Sequence, residues 1–239
     1  TAPVRCGGSS TERARIAARQ LVAEGATALL SFGVAGSLVS IVQPGQLVLA
    51  DAVVLPAGRR LACCARWHAS LSERLAPLPV KLHGGALAGM DDPVCESAAK
   101  HALRQHTGAM AVDMESHAVA EVASAAAVPF LALRAIADPV DQSVPRFAMS
   151  GVDRDGNTHI LPVLAGLLRQ PWALPDLLRL GRHFEIALTS LRRAAALASP
   201  DVGWHTRPCL PSPLLGAGWR GVGRAPGAGG GGGGAGAGG

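Results

Sequence analysis

Between residues 26 and 138, continuous apolar runs alternate with helical patterns, and this alternation restricts the chain to few architectures. Residues 26–32, 46–55, 80–88, 109–113 and 130–137 read as strands. Strands without polar alternate positions must be covered on both faces, so they belong in a mixed or mostly parallel sheet between helices. Residues 10–24, 93–107 and 114–127 carry the helical patterns, the first capped from Ser9, Ser10 or Thr11. The expected fold class is therefore α/β: a single domain with α/β/α layers around a mixed central sheet. That domain is expected over 1–200, with 151–200 mostly helical. Residues 201–239 form a Pro/Gly-rich tail ending in GAGGGGGGAGAGG, expected to be disordered because it buries too little apolar surface to offset ordering entropy.

Composition removes several function classes. With 49% hydrophobic and 16% charged residues, the 239-residue chain is globular in character. Aromatic residues make up 3% and Tyr is absent, which leaves no stacking platform for single-stranded nucleic acid, so no nucleic-acid partner is expected. The net charge of +5 fits a generally Arg-rich composition, or else a weak attraction to anionic membrane surface. Five cysteines, an odd number without CxxC spacing, read as reduced structural thiols. Residues 25–50 lack charge but are broken by Gly33, Gly36 and the Gln43-Pro44-Gly45 turn, so they read as strand, loop and strand rather than a membrane span. The expected location is cytoplasmic, with peripheral contact at the inner membrane face as the variant. No metal site is expected, since His68, His83, His101, His106 and His117 lack ligand spacing.

Three polar or glycine-rich clusters fall at expected strand ends, where open α/β sheets bind ligands. Residues 31–38, SFGVAGSL, have two glycines that let backbone approach an anion or sugar oxygens. Read alone, they are equally a plain strand-exit turn, and they lack GxGxxG spacing. Residues 112–117, VDMESH, place carboxylates at the start of an Ala-rich helix. Such an acid commonly caps the helix, but Glu115 can also accept two hydroxyls of a ribose diol side by side, with Met114 packing beside it. His117 reads as a helix-surface residue. Residues 133–139, LRAIADP, end a strand on Asp138, a helix cap or turn former on one reading. On the other, a partly desolvated carboxylic acid there donates a proton to N7 of a departing purine. Arg134, inside the strand, is expected to pair with a carboxylate and act structurally.

Together, SFGVAGSL at 31–38, GQLVLADAVV at 45–54, AVDMESHAVAEVA at 111–123 and VPFLALRAIADPVDQ at 128–142 resemble the nucleoside phosphorylase and nucleosidase superfamily. Methylthioadenosine/adenosylhomocysteine nucleosidases have similar segments. A closer resemblance is to the hopanoid-associated branch, extending over residues 4–195 and including GNTHILPVLAGLLRQPWALPDLLRLGRHFEIALTSLRRA at 156–194. This resemblance implies cleavage of a purine nucleoside's glycosidic bond, with adenine released from adenosylhopane; the alternatives are a methylthioadenosine/adenosylhomocysteine-type nucleosidase or a general purine nucleoside phosphorylase. Asp138 would be the general acid and Glu115 the ribose ligand, with Met114 beside it. Gly33, Val34, Ala35 and Gly36 would approach the nucleophile or sugar through backbone groups. No cofactor is implied beyond phosphate as a co-substrate, and a homo-oligomer is expected.

Two departures accompany the resemblance. The family's opening strand and its acidic residue are expected before residue 4, and Glu12, in the first predicted helix, does not replace them. A truncated, non-catalytic nucleoside-binding chain is therefore the alternative of another class. Val34 stands where several members carry a hydroxyl, which leaves water and phosphate both open as nucleophile. A lipid-linked nucleoside would also need an apolar groove beyond the ribose. Leu174, Leu177, Leu178, Leu180, Phe184 and Leu188 supply an apolar face, which reads as core packing, a subunit interface or a lipid-facing edge.

Overall fold

The computed structural model describes residues 3–8, 10–144, 170–198 and 202–204. Contacts divide the chain into Thr1–Cys209 and Leu210–Gly239, and every described residue belongs to the first unit. The expected helical stretch 151–169 and the tail from 205 onward lie outside the described residues.

Strand β8, Phe130–Asp138, organises the fold because every position from Phe130 to Ala137 is buried. Such a strand needs neighbours on both edges and cover on both faces. It pairs in parallel with β1, Leu29–Ser37, and antiparallel with β2, Leu47–Leu49. The other strands are β3, Ala52–Val54; β4, Arg60–Ala62; β5, Leu82–His83; β6, Ala86–Gly89; and β7, Ala111–Asp113. Together they form a mixed eight-stranded sheet in the order β4-β3-β6-β7-β1-β8-β2-β5.

Helix α1, Thr11–Ala23, packs on α4, Ser116–Ala125, and α4 lies against β1 and β8. Helix α5, Leu174–Ala198, lies on β8 with α2, Ala65–Leu75, beside it. Helix α3, Ser97–Thr107, precedes β7. Pro175 sits in the first turn of α5, where a missing N–H is harmless, so the helix continues unbroken past it. The core is aliphatic, with Leu47, Leu87, Leu131, Leu133 and Ile136 fully buried.

The expected α/β class with a mixed central sheet is the observed one. Several details differ. Residues 46–55 are two strands, β2 and β3, because the chain leaves one neighbour and joins another across Ala50 and Asp51. Residues 80–88 likewise divide into β5 and β6. Strand β4 and helix α2 were not foreseen, although Trp67, Leu71 and Leu75 mark the buried stripe of α2 at helical spacing. Cys6 and Cys63 are free thiols, whereas Cys64 is disulfide-bonded, unlike the reduced-thiol expectation.

The most consequential difference concerns Gly33, Val34, Ala35 and Gly36. They do not form a strand-exit loop. Strand β1 runs straight through them, in register with β8 from Leu29↔Phe130 to Ala35↔Ile136, and a bulge then sets Gly36 opposite Asp138. On its other edge, β1 pairs with β7 at Gly36 and Ser37. The glycines were read as loop formers, but here they make room for neighbouring side chains.

Candidate active site

Strand β7 ends on Asp113, and α4 begins three residues later. Asp113 caps that helix: its Oδ1 accepts the Ser116 N–H at 3.1 Å, and its Oδ2 accepts the Ser116 hydroxyl at 2.5 Å. Glu115 occupies the N-cap position itself but makes no side-chain capping bond. The two acids therefore divide the roles that the sequence left open. Asp113 serves the backbone, and the Glu115 carboxylate is left for other partners.

Arg134 closes this corner from β8. Its Nε lies 2.5 Å from Asp113 Oδ2, and its Nη2 donates to the Ser31 hydroxyl at 2.6 Å and to the Ser116 hydroxyl at 2.9 Å. Glu115 Oε2 is 3.5 Å from Nη2. Buried guanidinium needs this many acceptors, because an unpaired charge in the core is strongly disfavoured. Gly33, opposite Arg134 in the register, provides the space, since a Cβ there would collide with Nη1. Burial pushes the Glu115 carboxyl up to about 7, with Arg134 opposing the shift and Asp113 adding to it. Met114 is half-buried beside it, and its carbonyl accepts the Thr11 hydroxyl at 2.8 Å, which ties the start of α1 to this corner.

The second acidic centre is Asp138, the last residue of β8. Lys100 of α3 reaches it, with Nζ 2.8 Å from Oδ1 and 2.7 Å from Oδ2. Burial raises the Asp138 carboxyl above the usual range, and the Lys100 ammonium opposes that rise. A Cβ at Gly36 would stand 3.2 Å from Asp138 Oδ2, so here too a β1 glycine admits a site side chain. Asp138 opens onto a cleft of about 250 Å³ whose walls include Asp141, Gln142 and, from α5, Asp176, Arg179 and Leu180.

All the residues singled out from sequence are thus placed, and from one strand Gly33 adjoins the Arg134 guanidinium and Gly36 the Asp138 carboxyl. Sequence reading missed Lys100, Ser31 and Ser116. The signal for Lys100 was a lysine in line with Leu103 and Thr107 at helical spacing, the inward side of α3. His117 was misread as a surface residue: it is buried, its Nε2 lies 3.2 Å from Asp91 Oδ1, and Gly89 is the glycine that makes room for its ring. Among the described residues, no group of three His, Cys, Asp or Glu side chains is arranged to hold a metal ion. None of the described helices is long and apolar enough to cross a membrane.

Residues 4–158 match the family model of the phosphorylase superfamily. The chain belongs to the phosphorylase superfamily. Comparison with curated proteins returned no match. Among solved structures, this phosphorylase-superfamily chain is similar to futalosine hydrolase of Helicobacter pylori strain 26695, at 21% identity over 79% of this chain and 78% of that one, with a TM-score of 0.55. It is similar to the 5′-methylthioadenosine/S-adenosylhomocysteine nucleosidase of Campylobacter jejuni, at 22% identity over 67% and 75% of the two chains, TM-score 0.54. The corresponding nucleosidase of Colwellia psychrerythraea 34H, in complex with adenine, matches at 18% identity over 67% and 76%, TM-score 0.54. At these identities the likeness is one of fold. Within this superfamily member, the site holds one carboxyl that burial raises and a second paired with a buried cation.

Proposed function

We propose that the chain cleaves the N-glycosidic bond of a purine nucleoside. The observation that carries this reading is that Gly33 and Gly36 of one strand adjoin both a diol-binding candidate, Glu115 with its Arg134 brace, and an acid, Asp138. In this reading, the ionised Glu115 accepts the two ribose hydroxyls, and Met114 packs on the sugar. Asp138, protonated, gives its proton to purine N7 as the C–N bond breaks, so the base leaves neutral. Positive charge developing on the ribose is stabilised by the nearby carboxylate. Water or phosphate, approaching along the backbone of Gly33, Val34, Ala35 and Gly36, takes the sugar carbon. No other cofactor is needed.

The substrate we favour is adenosylhopane, on the resemblance of residues 4–195 to the hopanoid-associated branch. From α5 the cleft at Asp138 is walled by Asp176, Arg179 and Leu180. Outside that lining, Leu178 of the same helix and Trp172 of the turn before it are 62% and 73% exposed and offer an apolar edge for a bulky group. Such an edge also suits contact with a membrane face and a lipid-linked substrate. The second reading is a methylthioadenosine/adenosylhomocysteine-type nucleosidase, favoured by the fold shared with the Campylobacter enzyme.

The test is adenine release from adenosylhopane and from methylthioadenosine, each with and without phosphate, with Asp138→Asn as control. Release from adenosylhopane alone supports the lipid reading, and phosphate dependence names phosphorolysis. Release from methylthioadenosine alone transfers the assignment to the second reading. Saturable binding of nucleoside with no release from either, by the unaltered chain, leaves a binding protein.

A further inference from the structure

Helix α3 lies mostly at the surface, and its one buried side chain is a lysine. Lys100 is 0% exposed. An ammonium carries three hydrogens, and all three have acceptors here: the Asp138 carboxylate, the Pro139 carbonyl at 2.9 Å and the Gln142 carbonyl at 2.7 Å. None is left for a substrate. Burying such a charge is unfavourable compared with an apolar side chain of the same length, so packing alone does not account for it. What the lysine does achieve is to tie the carboxyl group and the turn after β8 to a single point.

We propose that Lys100 is a positioning residue for Asp138, fixing its carboxyl group against Gly36 and providing the countercharge for the carboxylate that forms as its proton leaves. This rests on Asp138 being the acid of the proposed reaction. The step balances with the water or phosphate of the proposed reaction, which takes the ribose carbon. The Asp138 O–H bond breaks as the N7–H bond of the purine forms, and the electrons of the glycosidic bond pass to the purine. Asp138 is left as a carboxylate, already paired with the ammonium, and Lys100 keeps its three protons. Other charged groups line the cleft: Asp141, 4.0 Å from His101 Nε2, and, on α5, Asp176 and Arg179, which are paired with each other at 3.2 Å. Lys100 is the one within ion-pair distance of Asp138 among the described residues.

The experiment is to titrate the Asp138 carboxyl carbon by ¹³C NMR in the whole chain, assigning it by its absence in Asp138→Asn, in the wild type and in Lys100→Met. Lys100→Gln is made alongside, because it removes the charge but keeps donors for the Pro139 and Gln142 carbonyls. Each variant's fold is checked by its amide spectrum, so one folded neutral variant suffices. The expected result is an Asp138 midpoint raised by about one pH unit or more, since the attraction is gone and the burial remains. The alkaline limb of adenine release should move in the same direction, with kcat lowered and KM little changed. A lysine with a purely structural role would lower stability and leave both midpoints in place. An unmoved Asp138 midpoint in a folded variant overturns the proposal. A wild-type chain that releases no adenine overturns the functional reading instead, and the carbon titration still decides whether Lys100 governs the carboxyl.

Discussion

Arg134 Nε stands 2.5 Å from Asp113 Oδ2, with 4% and 1% of the two side chains exposed. A buried pair like this is worth little against an apolar replacement of both partners, but breaking it from one side strands a charge. Arg134→Met is therefore expected to lower unfolding free energy by about 3–5 kcal/mol in urea denaturation. Arg134→Lys should recover only part of the loss, because one ammonium cannot span Asp113, Ser31 and Ser116 as the planar guanidinium does.

Gly33→Ala tests the claim that β1 glycines make room for the site. Its methyl would meet the Arg134 guanidinium, which is held by four residues and has nowhere to retreat. A loss of about 1–3 kcal/mol is expected. Gly36→Ala, with its nearest contact at 3.2 Å, should affect stability less and Asp138-dependent turnover more. Equal stability losses for the two would contradict this.

Glu115 gives a pH signature in the neutral range. Its carboxyl is raised to about 7, and the proposed pairing with two ribose hydroxyls needs it ionised. Nucleoside affinity should therefore strengthen as pH rises through about 7, read from KM or calorimetry, and Glu115→Gln should flatten the profile. Stability runs the opposite way. The folded state holds this proton more tightly than the unfolded chain does, so the contribution is complete below the unfolded value near 4.5 and is lost as pH climbs to about 7.

Asp138→Asn removes the acid but also the countercharge of Lys100. The variant is expected to be inactive and destabilised by about 3–5 kcal/mol. Adding Lys100→Met to it should restore part of that stability without restoring activity. The double-mutant cycle measures the coupling, and strict additivity would mean that the pair is energetically idle.

The layered α/β arrangement was legible because burial on both faces leaves an unmistakable mark: an eight-residue strand such as Phe130–Ala137, apolar but for Arg134, has few alternatives. The start of α4 and the acids around it were legible for a similar reason, since helix caps use few residue types. Glycine was the misleading signal. Gly33 and Gly36 look like turn residues in sequence, and only the register with Arg134 and Asp138 reveals that the missing side chains are what matters. Lys100 and His117 were passed over for one reason. Charge and polarity predict exposure on average, and sites are where that average fails.

The pairing of β1 with β8 has a consequence for how this protein comes into being. Leu29 is registered against Phe130, about a hundred residues later in the chain, and Gly33 and Gly36 acquire their partners through the same ladder. Long-range parallel pairing is slow to nucleate, because the intervening loop must close before any contact rewards it. On the ribosome, the glycine strand emerges early and waits with an unpaired edge. Until the strand bearing Arg134 and Asp138 has been synthesised and docked, a growing chain has α1 to α4 but neither of the two buried ion pairs.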